Sequence, residues 1–591
     1  MYDTNREACL ARGLLEDDSE WNSALNEAEV FRMPVQLRGL FATILLHCNP
    51  SNPLELWSGH QEAFAEDFTR TNSMSNAIYL AWQHVNSILL QQGKSCGQYG
   101  IPEPEHDNMA QHPGDSINPE EEAERAVANR RILNTEQSEI VDEITTRLNN
   151  KQSGMPNQGG AFYIDGPGGS GKTMVYNTLI AFCRGHYMSV ASAAWTGIAA
   201  TLLTGGQTIH SLFKLPVPLL DTSTCNITPT SRQADYLRSV DLILLDEASM
   251  IPTHALHAID RTLRDVCNDE SLFGGKIFVL GGDFRQVLPV VPRASRAAIL
   301  DTCLKRSSLW SSFRQFRLTK NMRAADEQAF TSWLLQVGNG SLPSACHQSE
   351  EPLITIPEEC VCHNVIDAVY DDMLDNQIER RVILCPRNDD TLEVNQQVLD
   401  RLPGQEKVYF SVDGVQCDDI EEQENYPLEF LNSLTPSGLP QHCLRLKVGA
   451  IVMLLRNLDQ KAGLCNGTRL RVVALHNNVV DAENLKDATR VFIPRITLTT
   501  ADSTLPFTLK RRQFPLRLAY SMTINKSQGQ TFGKVGLLLK KPVFAHGQLY
   551  VALSRVRSLR SLSIHVVHGT NQGKLNGDYV TQNVVYMEAL A

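Results

Sequence analysis

The sequence has no long apolar run and no secretion signal. No window reaches about eighteen consecutive apolar residues, the length that a membrane-spanning helix needs. The first 30 residues are acidic and contain neither a basic start nor an apolar segment. The 14 cysteines are scattered without paired spacing, which argues against a disulfide framework. These absences predict an intracellular protein in a reducing compartment, without a membrane partner.

Charge is distributed unevenly along the chain. The 54 Lys and Arg against 66 Asp and Glu give a formal net charge of −12, which taken whole argues against a nucleic-acid partner. From Gln441 to the end, however, 21 basic residues stand against 7 acidic ones, a local charge of +14. Such segregation predicts either a surface that binds a phosphate backbone or a basic part that docks on the acidic part.

The pattern along the chain predicts an α/β fold with extensions. Residues 1–100 show apolar residues at three- and four-residue spacing, which predicts helices, and an acidic linker rich in Pro and Gly follows over 101–128. Beyond it, strand-like runs such as AFYI, LILLDEA, KIFVLGGD and VILCPRN alternate with helical patterns, which predicts a parallel sheet with crossover helices. Short β-rich runs over about 463–515 predict a small antiparallel barrel inserted before the last strand and helix.

A glycine-rich loop follows the first of these strands. Residues 166–173 read GPGGSGKT and match the spacing G-x-x-x-x-G-K-[ST], in which backbone N–H groups turn inward around phosphates. The residues expected to bind the nucleotide are Gly166, Gly168, Gly169, Ser170, Gly171, Lys172 and Thr173. Lys172 supplies positive charge and the Thr173 hydroxyl a Mg²⁺ ligand. Because a helix-compatible stretch follows, the anion would lie at a helix N-terminus.

Two further strand ends supply carboxylates and an amide. VDLILLDEASM places Asp246 and Glu247 directly after four apolar residues, where Asp246 would hold Mg²⁺ and Glu247 would orient and deprotonate the attacking water. KIFVLGGDFRQVLPV places Asp283 and Gln286 after a Gly-Gly turn. A neutral amide beside a γ-phosphate reports its presence without competing for charge. We therefore expect Gln286 to couple the nucleotide state to the rest of the protein.

In this order, the motifs resemble those of superfamily-one DNA helicases of the 5′-to-3′ class. Within that class the chain is similar to the petite integration frequency (PIF) family, including the helicase portion of Helitron transposon proteins. The resemblance covers about residues 132–567 and includes ILNTEQ, AAWTGIAATLLTGGQTIHSLF, LTKNMR, SMTINKSQGQTF and LYVALSRVRS. It implies an ATP-dependent helicase that moves 5′ to 3′ on single-stranded DNA and opens duplexes, with forked duplex DNA as a further partner.

The resemblance also implies roles for individual residues. Gln137 would contact the adenine base, and Arg323 and Arg555 would reach the γ-phosphate as arginine fingers. The residues expected to contact DNA are Thr196, Gly197, His210, Ser211, Asn525, Lys526 and Ser527. Asn525 departs from the family pattern, since many relatives have His there, but Asn also hydrogen-bonds a phosphate. The expected catalytic residues are Lys172, Asp246, Glu247, Gln286, Arg323 and Arg555.

For the architecture, the resemblance implies two RecA-like P-loop motor domains with parallel sheets. The first would span 129–325, with a small wedge insertion at about 215–238, and the second 326–591, with an SH3-like barrel at about 463–515. The basic triplet at 510–512 would then be a DNA-facing turn, with half a nuclear localisation signal as the alternative.

Cellular role and oligomeric state do not follow from the residues. The family implies work in DNA repair, recombination, telomere maintenance or transposon replication, and a nuclear location if the source is a eukaryote. Two other functions stay open: a DNA-stimulated ATPase that remodels protein–DNA complexes, and an inert DNA-binding relic of a transposon.

Overall fold

The structure is a computed structural model that describes residues 18–105, 118–155, 159–291, 293–322, 327–345, 352–371, 377–416, 426–436, 438–460, 462–500 and 505–590. The chain forms two compact units. The first unit combines residues 1–114 with 395–520, and the second combines 115–394 with 521–591. None of the helices in the described ranges is long and apolar enough to cross a membrane.

The α-helices are numbered in chain order through the described residues. They are α1 (Ser19–Glu29), α2 (Pro34–His47), α3 (Pro53–Ala65), α4 (Met74–Gln91), α5 (Pro119–Ile132), α6 (Thr135–Gln152), α7 (Lys172–Gly185), α8 (Gly197–Ala200), α9 (Ile209–Phe213), α10 (Arg232–Ser239), α11 (Thr253–Cys267), α12 (Arg296–Asp301), α13 (Gln328–Asn339), α14 (Val365–Tyr370), α15 (Asn388–Arg401), α16 (Leu428–Ser433), α17 (Gln548–Leu553) and α18 (Met587–Leu590).

The strands are numbered in the same way. They are β1 (Gly160–Asp165), β2 (Val190–Ala194), β3 (Gln207–Thr208), β4 (Leu242–Asp246), β5 (Ile277–Gly282), β6 (Phe313–Arg317), β7 (Leu353–Thr355), β8 (Arg381–Cys385), β9 (Glu406–Phe410), β10 (Val412–Gln416), β11 (Cys443–Lys447), β12 (Ile451–Leu454), β13 (Arg469–Leu475), β14 (Val479–Asn484), β15 (Arg490–Pro494), β16 (Ile496–Thr499), β17 (Thr508–Gln513), β18 (Leu516–Leu518), β19 (Ser521–Thr523), β20 (Lys534–Leu539), β21 (Leu562–Val566), β22 (Gln572–Leu575) and β23 (Asp578–Gln582).

The second unit contains two parallel sheets. The described strands of the first sheet run in the order β3-β2-β4-β5-β1-β6, and those of the second sheet in the order β19-β8-β20-β21. All neighbouring strands in both sheets pair in parallel. The central strands are almost continuously apolar because helices cover both faces of a parallel sheet. This arrangement confirms the α/β fold class with parallel sheets.

A small antiparallel sheet completes the second unit. Its described strands run in the order β22-β23-β7, so a strand from 353–355 pairs with a hairpin near the C-terminal end. The same C-terminal region returns to the earlier part of the unit, since Asn583 Nδ2 donates to the carbonyl of Val337 at the end of α13 (2.9 Å).

The first unit joins the N-terminal helices to a β-rich module, residues 395–520. Its described strands form antiparallel sheets in the orders β15-β14-β13-β12-β18, β10-β17-β16 and β11-β9. Trp21, Phe41 and Phe64 from the helices share one hydrophobic core with Phe492 and Leu509 from the strands. The helices are therefore an integral part of this unit, which their amphipathic pattern alone did not predict.

Two predicted boundaries differ from the structure. The acidic stretch assigned to a linker over 101–128 contains the start of α5, whose first turn carries three glutamates and whose Asn118 side chain accepts from Glu120 N. Acidic residues at that position stabilise a helix N-terminus, which explains the misassignment. The β-rich region begins at Glu406 rather than near 463, because β9 pairs with β11 across a long intervening segment.

The basic triplet at 510–512 is not a continuous exposed turn. It lies within β17, where Lys510 is exposed while Arg511 is fully buried. The Arg511 guanidinium forms an ion pair with the equally buried Asp413 (2.5 Å). Arg512 pairs with Glu20 of α1 (2.8 Å) and lies 4.3 Å above the Trp21 ring. Strand alternation places Arg511 on the same face as Leu509, so the DNA-facing interpretation is wrong for this residue.

Candidate active site

A cavity of about 410 Å³ lies at the carboxyl ends of β1, β4 and β5. Its lining includes ten residues predicted to bind the nucleotide or to act in catalysis: Gly168, Gly169, Ser170, Gly171, Lys172, Thr173, Asp246, Glu247, Gln286 and Arg555. Arg555 follows α17, between β20 and β21 of the second parallel sheet, whereas the others lie at or after the ends of strands of the first. The cavity therefore combines polar groups from both parallel sheets.

The loop between β1 and α7 needs its glycines. Gly169 and Gly171 have φ values of +91° and +84°, which side chains with a Cβ rarely adopt. A Cβ at Gly166 would overlap the Ser170 hydroxyl. The Lys172 ammonium donates to the Gly166 carbonyl (2.5 Å), so the lysine lies along the inner side of the loop. This geometry presents the N-terminus of α7 and one ammonium group to the cavity.

Asp246 and Glu247 form a partly buried acidic pair at the end of β4. Burial raises the pKa of both carboxyls, and the neighbouring Asp246 charge raises the pKa of Glu247 further, while Lys172 opposes both shifts. Tyr176 donates its hydroxyl to Asp246 Oδ1 (3.3 Å). Glu247 has a φ of +62°, an uncommon backbone conformation for a residue with a Cβ. Backbone strain of this kind clusters at functional sites, and Glu247 lines the cavity.

Arg555 is held in place by backbone and side-chain acceptors. Its Nε donates to the carbonyl of Val551 (2.8 Å), Nη1 to the carbonyl of Gln530 (3.0 Å), and Nη2 to the Ser554 hydroxyl (2.9 Å). A Cβ placed on Gly168 would lie 3.9 Å from Nη2. The guanidinium therefore borders the glycine-rich loop of residues 166–173, which is called the phosphate loop below. Arg323, the other predicted arginine finger, lies outside the described residues.

Gln286 and Gln137 occupy different positions around the loop. Gln286 lines the cavity, and its buried Oε1 has no hydrogen-bond partner among the described residues. Gln137 is 2% exposed, and its Nε2 donates to the carbonyl of Ser170 (3.0 Å) while its Oε1 accepts from Asn134 N. The Gln137 amide thus ties the start of α6 to the phosphate loop, and its contact with adenine stays a prediction.

The residues predicted to contact DNA fall in two neighbouring segments. Thr196 is the N-cap of α8 and its hydroxyl accepts from Ala199 N, while the His210 ring lies 4.6 Å from that of Trp195. Gly197 and Ser211 of this segment are half-buried. In the other segment, Asn525 accepts from Gln548 Nε2 (3.2 Å), and Lys526 is half-buried. Ser527 is fully buried and donates to the carbonyl of Ile524, so its side chain does not reach solvent.

Gly529 brings these segments to the acidic pair. Its φ is +73°, and a methyl group there would lie 3.5 Å from Ala199 Cβ and 3.6 Å from Glu247 Oε1. The segment after β19, helix α8 and the end of β4 therefore meet at one glycine. This proximity was not evident from the separate motifs.

Three further residues at the site were missed by sequence reasoning. Asn321 Nδ2 donates to the carbonyl of Gly168 (3.3 Å), Arg557 lines the cavity, and the Tyr550 hydroxyl accepts from Gly168 N (3.2 Å). Asn321 and Tyr550 lie inside quoted motifs, LTKNMR and LYVALSRVRS. Their position beside the two arginines was the available signal.

The fold and the cavity define a P-loop NTPase with two RecA-like parallel sheets. Residues 132–348 match the family model for the PIF1-like helicase, and residues 429–475 match that for the DNA helicase Pif1 2B domain. The chain belongs to the PIF1-like helicase family of superfamily one. Its resemblance to Helitron proteins is not part of these matches.

Curated relatives and solved structures agree with this assignment. The chain is 27% identical to ATP-dependent DNA helicase PIF1 of Danio rerio over 72% of its length and 62% of the relative's. It is 30% identical to that of Homo sapiens, over 69% of this chain and 58% of the relative. The chain thus spans about three fifths of these relatives. A Bacteroides Pif1 helicase in complex with ADP-AlF3 and single-stranded DNA is 27% identical, with a TM-score of 0.53, covering 71% of this chain and 91% of that one.

Proposed function

We propose that this chain is an ATP-dependent DNA helicase that moves 5′ to 3′ on single-stranded DNA and unwinds duplex DNA, including forks. The observation that carries the proposal is the one cavity in which the phosphate loop, the Asp246–Glu247 pair and Arg555 meet. The ADP-AlF3 and single-stranded DNA in the Bacteroides relative support ATP and DNA as the ligands here.

In this proposal each side chain has one task. The loop N–H groups and Lys172 hold the β- and γ-phosphates of ATP, and Glu247 accepts the proton of the attacking water. Arg555 stabilises the charge that develops on the transferred phosphoryl group, a contribution of about 10³- to 10⁵-fold in rate for arginine fingers. Gln286, whose Oε1 is buried and unpartnered in the described part of the chain, is suited to detect the γ-phosphate. Arg323 keeps its expected role as a second γ-phosphate contact.

Magnesium fits the donor set at this site. The Thr173 hydroxyl and the Asp246 carboxylate line the same cavity, and Mg²⁺ prefers such hard oxygen ligands. When bound, Mg²⁺ would neutralise phosphate charge. Thr173 and Asp246 are the residues that would hold it.

Gly529 supports a route from ATP to DNA. The segment with Asn525, Lys526 and Ser527 and the segment with Thr196, Gly197, His210 and Ser211 are the proposed DNA-binding elements. Both reach Glu247 through the close packing at Gly529. A backbone displacement caused by a bound strand would therefore shift Glu247, which in this proposal deprotonates the attacking water.

The test is ATP turnover with and without single-stranded DNA, followed by strand displacement on duplexes that carry either a 5′ or a 3′ tail. We expect DNA-stimulated turnover and opening of the 5′-tailed duplex alone. Glu247→Gln, which keeps the side-chain shape and removes the base, should lower turnover at least 100-fold while ATP still binds. Stimulated turnover without displacement would instead support the remodelling ATPase, and no turnover would support the DNA-binding relic.

For a eukaryotic source we further propose a nuclear location and a role in DNA repair, recombination, telomere maintenance or replication of a mobile element. The support is the family alone. Fluorescence microscopy of the tagged full chain tests the location, and a signal excluded from the nucleus would refute it.

A further inference from the structure

Tyr550 connects the phosphate loop to a buried charge cluster. Its hydroxyl donates to Asp283 Oδ2 (2.9 Å) and accepts from the backbone N–H of Gly168 (3.2 Å). The tyrosine is 2% exposed and Asp283 1% exposed. A phenol has one proton to donate, so both bonds fully define the orientation of this hydroxyl. The bond to Asp283 is charge-assisted and therefore stronger than a neutral one.

The cluster around Asp283 extends further into the second unit. Asp283 Oδ1 accepts from Arg285 Nη1 (2.8 Å) and Arg285 N (3.1 Å), and Arg285 Nε donates to Asn339 Oδ1 at the end of α13 (2.8 Å). The loop after β5 is thus bonded both to α17, through Tyr550, and to α13, through Asn339. These bonds join the loop after β5, a strand of the first parallel sheet, to α13 and to α17, which lies between β20 and β21 of the second.

Two glycines show that the packing around Tyr550 and Arg285 depends on close approach of the neighbouring backbone. A Cβ at Gly338, inside α13, would lie 2.8 Å from Cδ2 of the Tyr550 ring. A Cβ at Gly547 would overlap the carbonyl of Arg285. Glycine is less favourable than alanine inside a helix, so its presence at 338 fits a requirement for space beside the aromatic ring of Tyr550.

Tyr550 and Arg555 are rigidly connected. Tyr550 lies in α17, and the Arg555 Nε donates to the carbonyl of Val551 in the same helix (2.8 Å). The hydroxyl of Tyr550 therefore fixes α17 on Gly168, the loop residue that Arg555 Nη2 borders. We propose that Tyr550 is a positioning residue, which sets Arg555 over the phosphate loop and holds the Asp283–Arg285 loop in register with it. This inference rests on the proposed ATPase function.

The test is the Tyr550→Phe variant of the full chain, which removes the hydroxyl and keeps the ring against Gly338. Turnover is measured with ATP, Mg²⁺ and saturating oligo(dT). Because the hydroxyl acts through Arg555 in the transition state, kcat should fall at least fivefold while KM for ATP stays within twofold. In an Arg555→Lys background, the fold-loss in kcat caused by Tyr550→Phe should be at least threefold smaller, since the effects of residues that act as a unit are not additive.

The matched control is Tyr163→Phe. Tyr163 is also a buried tyrosine of the second unit, but its hydroxyl has no hydrogen-bond partner within the described residues. Its turnover should equal that of the wild type. If Tyr550→Phe has a lower Tm than this control, kcat is measured 15 °C or more below that Tm, so that unfolding does not count as lost turnover.

The outcomes separate this inference from the proposed function. A kcat loss below fivefold, or a loss of the same size in the Arg555→Lys background, overturns the positioning role while the ATPase proposal stands. Absence of DNA-stimulated turnover in the wild type itself overturns the proposed function, and the positioning role with it.

Discussion

Arg511 tests directly whether the arginines of the basic C-terminal quarter contact DNA or form ion pairs within the protein. The perturbation is Arg511→Ala, in a triplet that reads from sequence as a DNA-facing turn. In the structure the guanidinium is fully buried and makes five hydrogen bonds. Two go to the Asp413 carboxylate and three to the backbone carbonyls of Leu431, Leu434 and Pro440. A phosphate backbone has no access to it.

The expected magnitude follows from what the substitution leaves behind. Asp413 would remain buried with the Ser411 hydroxyl as a donor (2.7 Å), and three buried carbonyls would lose a partner. Removing one member of a buried ion pair costs about 3 to 5 kcal/mol. At about 2 to 4 °C per kcal/mol for a unit of this size, the Tm of the first unit should fall by roughly 6 to 20 °C.

The assay combines thermal unfolding with binding to oligo(dT) at several salt concentrations, measured below the lowest Tm. Lys510→Ala is the control, because Lys510 is the exposed neighbour in β17 and should change the unfolding free energy by less than about 0.5 kcal/mol. The reasoning is refuted if Arg511→Ala melts like the wild type and instead lowers the salt slope by about 0.7, the value for one lost phosphate contact on a single strand.

Two other substitutions probe the second unit. Gly529→Ala should lower stability by about 1 to 2 kcal/mol, because alanine disfavours a positive φ. It should also reduce the stimulation of ATP turnover by single-stranded DNA. Unchanged stimulation in the folded variant would contradict the proposed route from the DNA-binding segments to Glu247. Burial lowers the pKa of His546, whose Nε2 donates to the carbonyl of Phe284 and whose Nδ1 accepts from Tyr586 N. The unfolded chain therefore takes up this proton first, so stability present above about pH 6.5 is lost as the pH falls through that value. Urea unfolding at pH 8 and 5.5 should show a smaller loss for His546→Gln than for the wild type, and equal losses would refute the assignment.

Local patterns predicted the parallel sheets, and they placed the glycine-rich loop and the two carboxylates that line one cavity. AFYI and LILLDEA became β1 and β4, and GPGGSGKT joined β1 to α7, because apolar runs and glycine spacing act over a few residues. The ends of parallel strands meet at one edge, so Lys172, Asp246 and Glu247 could be expected to converge. The predicted fold class is confirmed, while the roles of Lys172, Asp246 and Glu247 stay predictions.

Long-range contacts were beyond sequence reasoning. The hydroxyl of Tyr550 meets Gly168 and Asp283, which are hundreds of residues earlier in the chain, and no spacing rule links them. The N-terminal helices show an apolar stripe, but a stripe does not specify its partner. Their packing against β15 and β16 through Phe492 and Ile496 is a tertiary choice that periodicity leaves open.

The charge asymmetry shows why composition alone misled. Several arginines of the basic quarter are paired inside the first unit: Arg445 with Glu406, Arg490 with Asp481, Arg511 with Asp413 and Arg512 with Glu20. Glu20 belongs to α1, and Glu27 of the same helix accepts from Asn478, so the acidic N-terminal part docks on the β-rich module. A positive charge that is already paired has few counterions to release to a nucleic acid. The local excess of +14 therefore overstates the surface available to DNA, and part of it exists because acidic partners lie elsewhere in the chain.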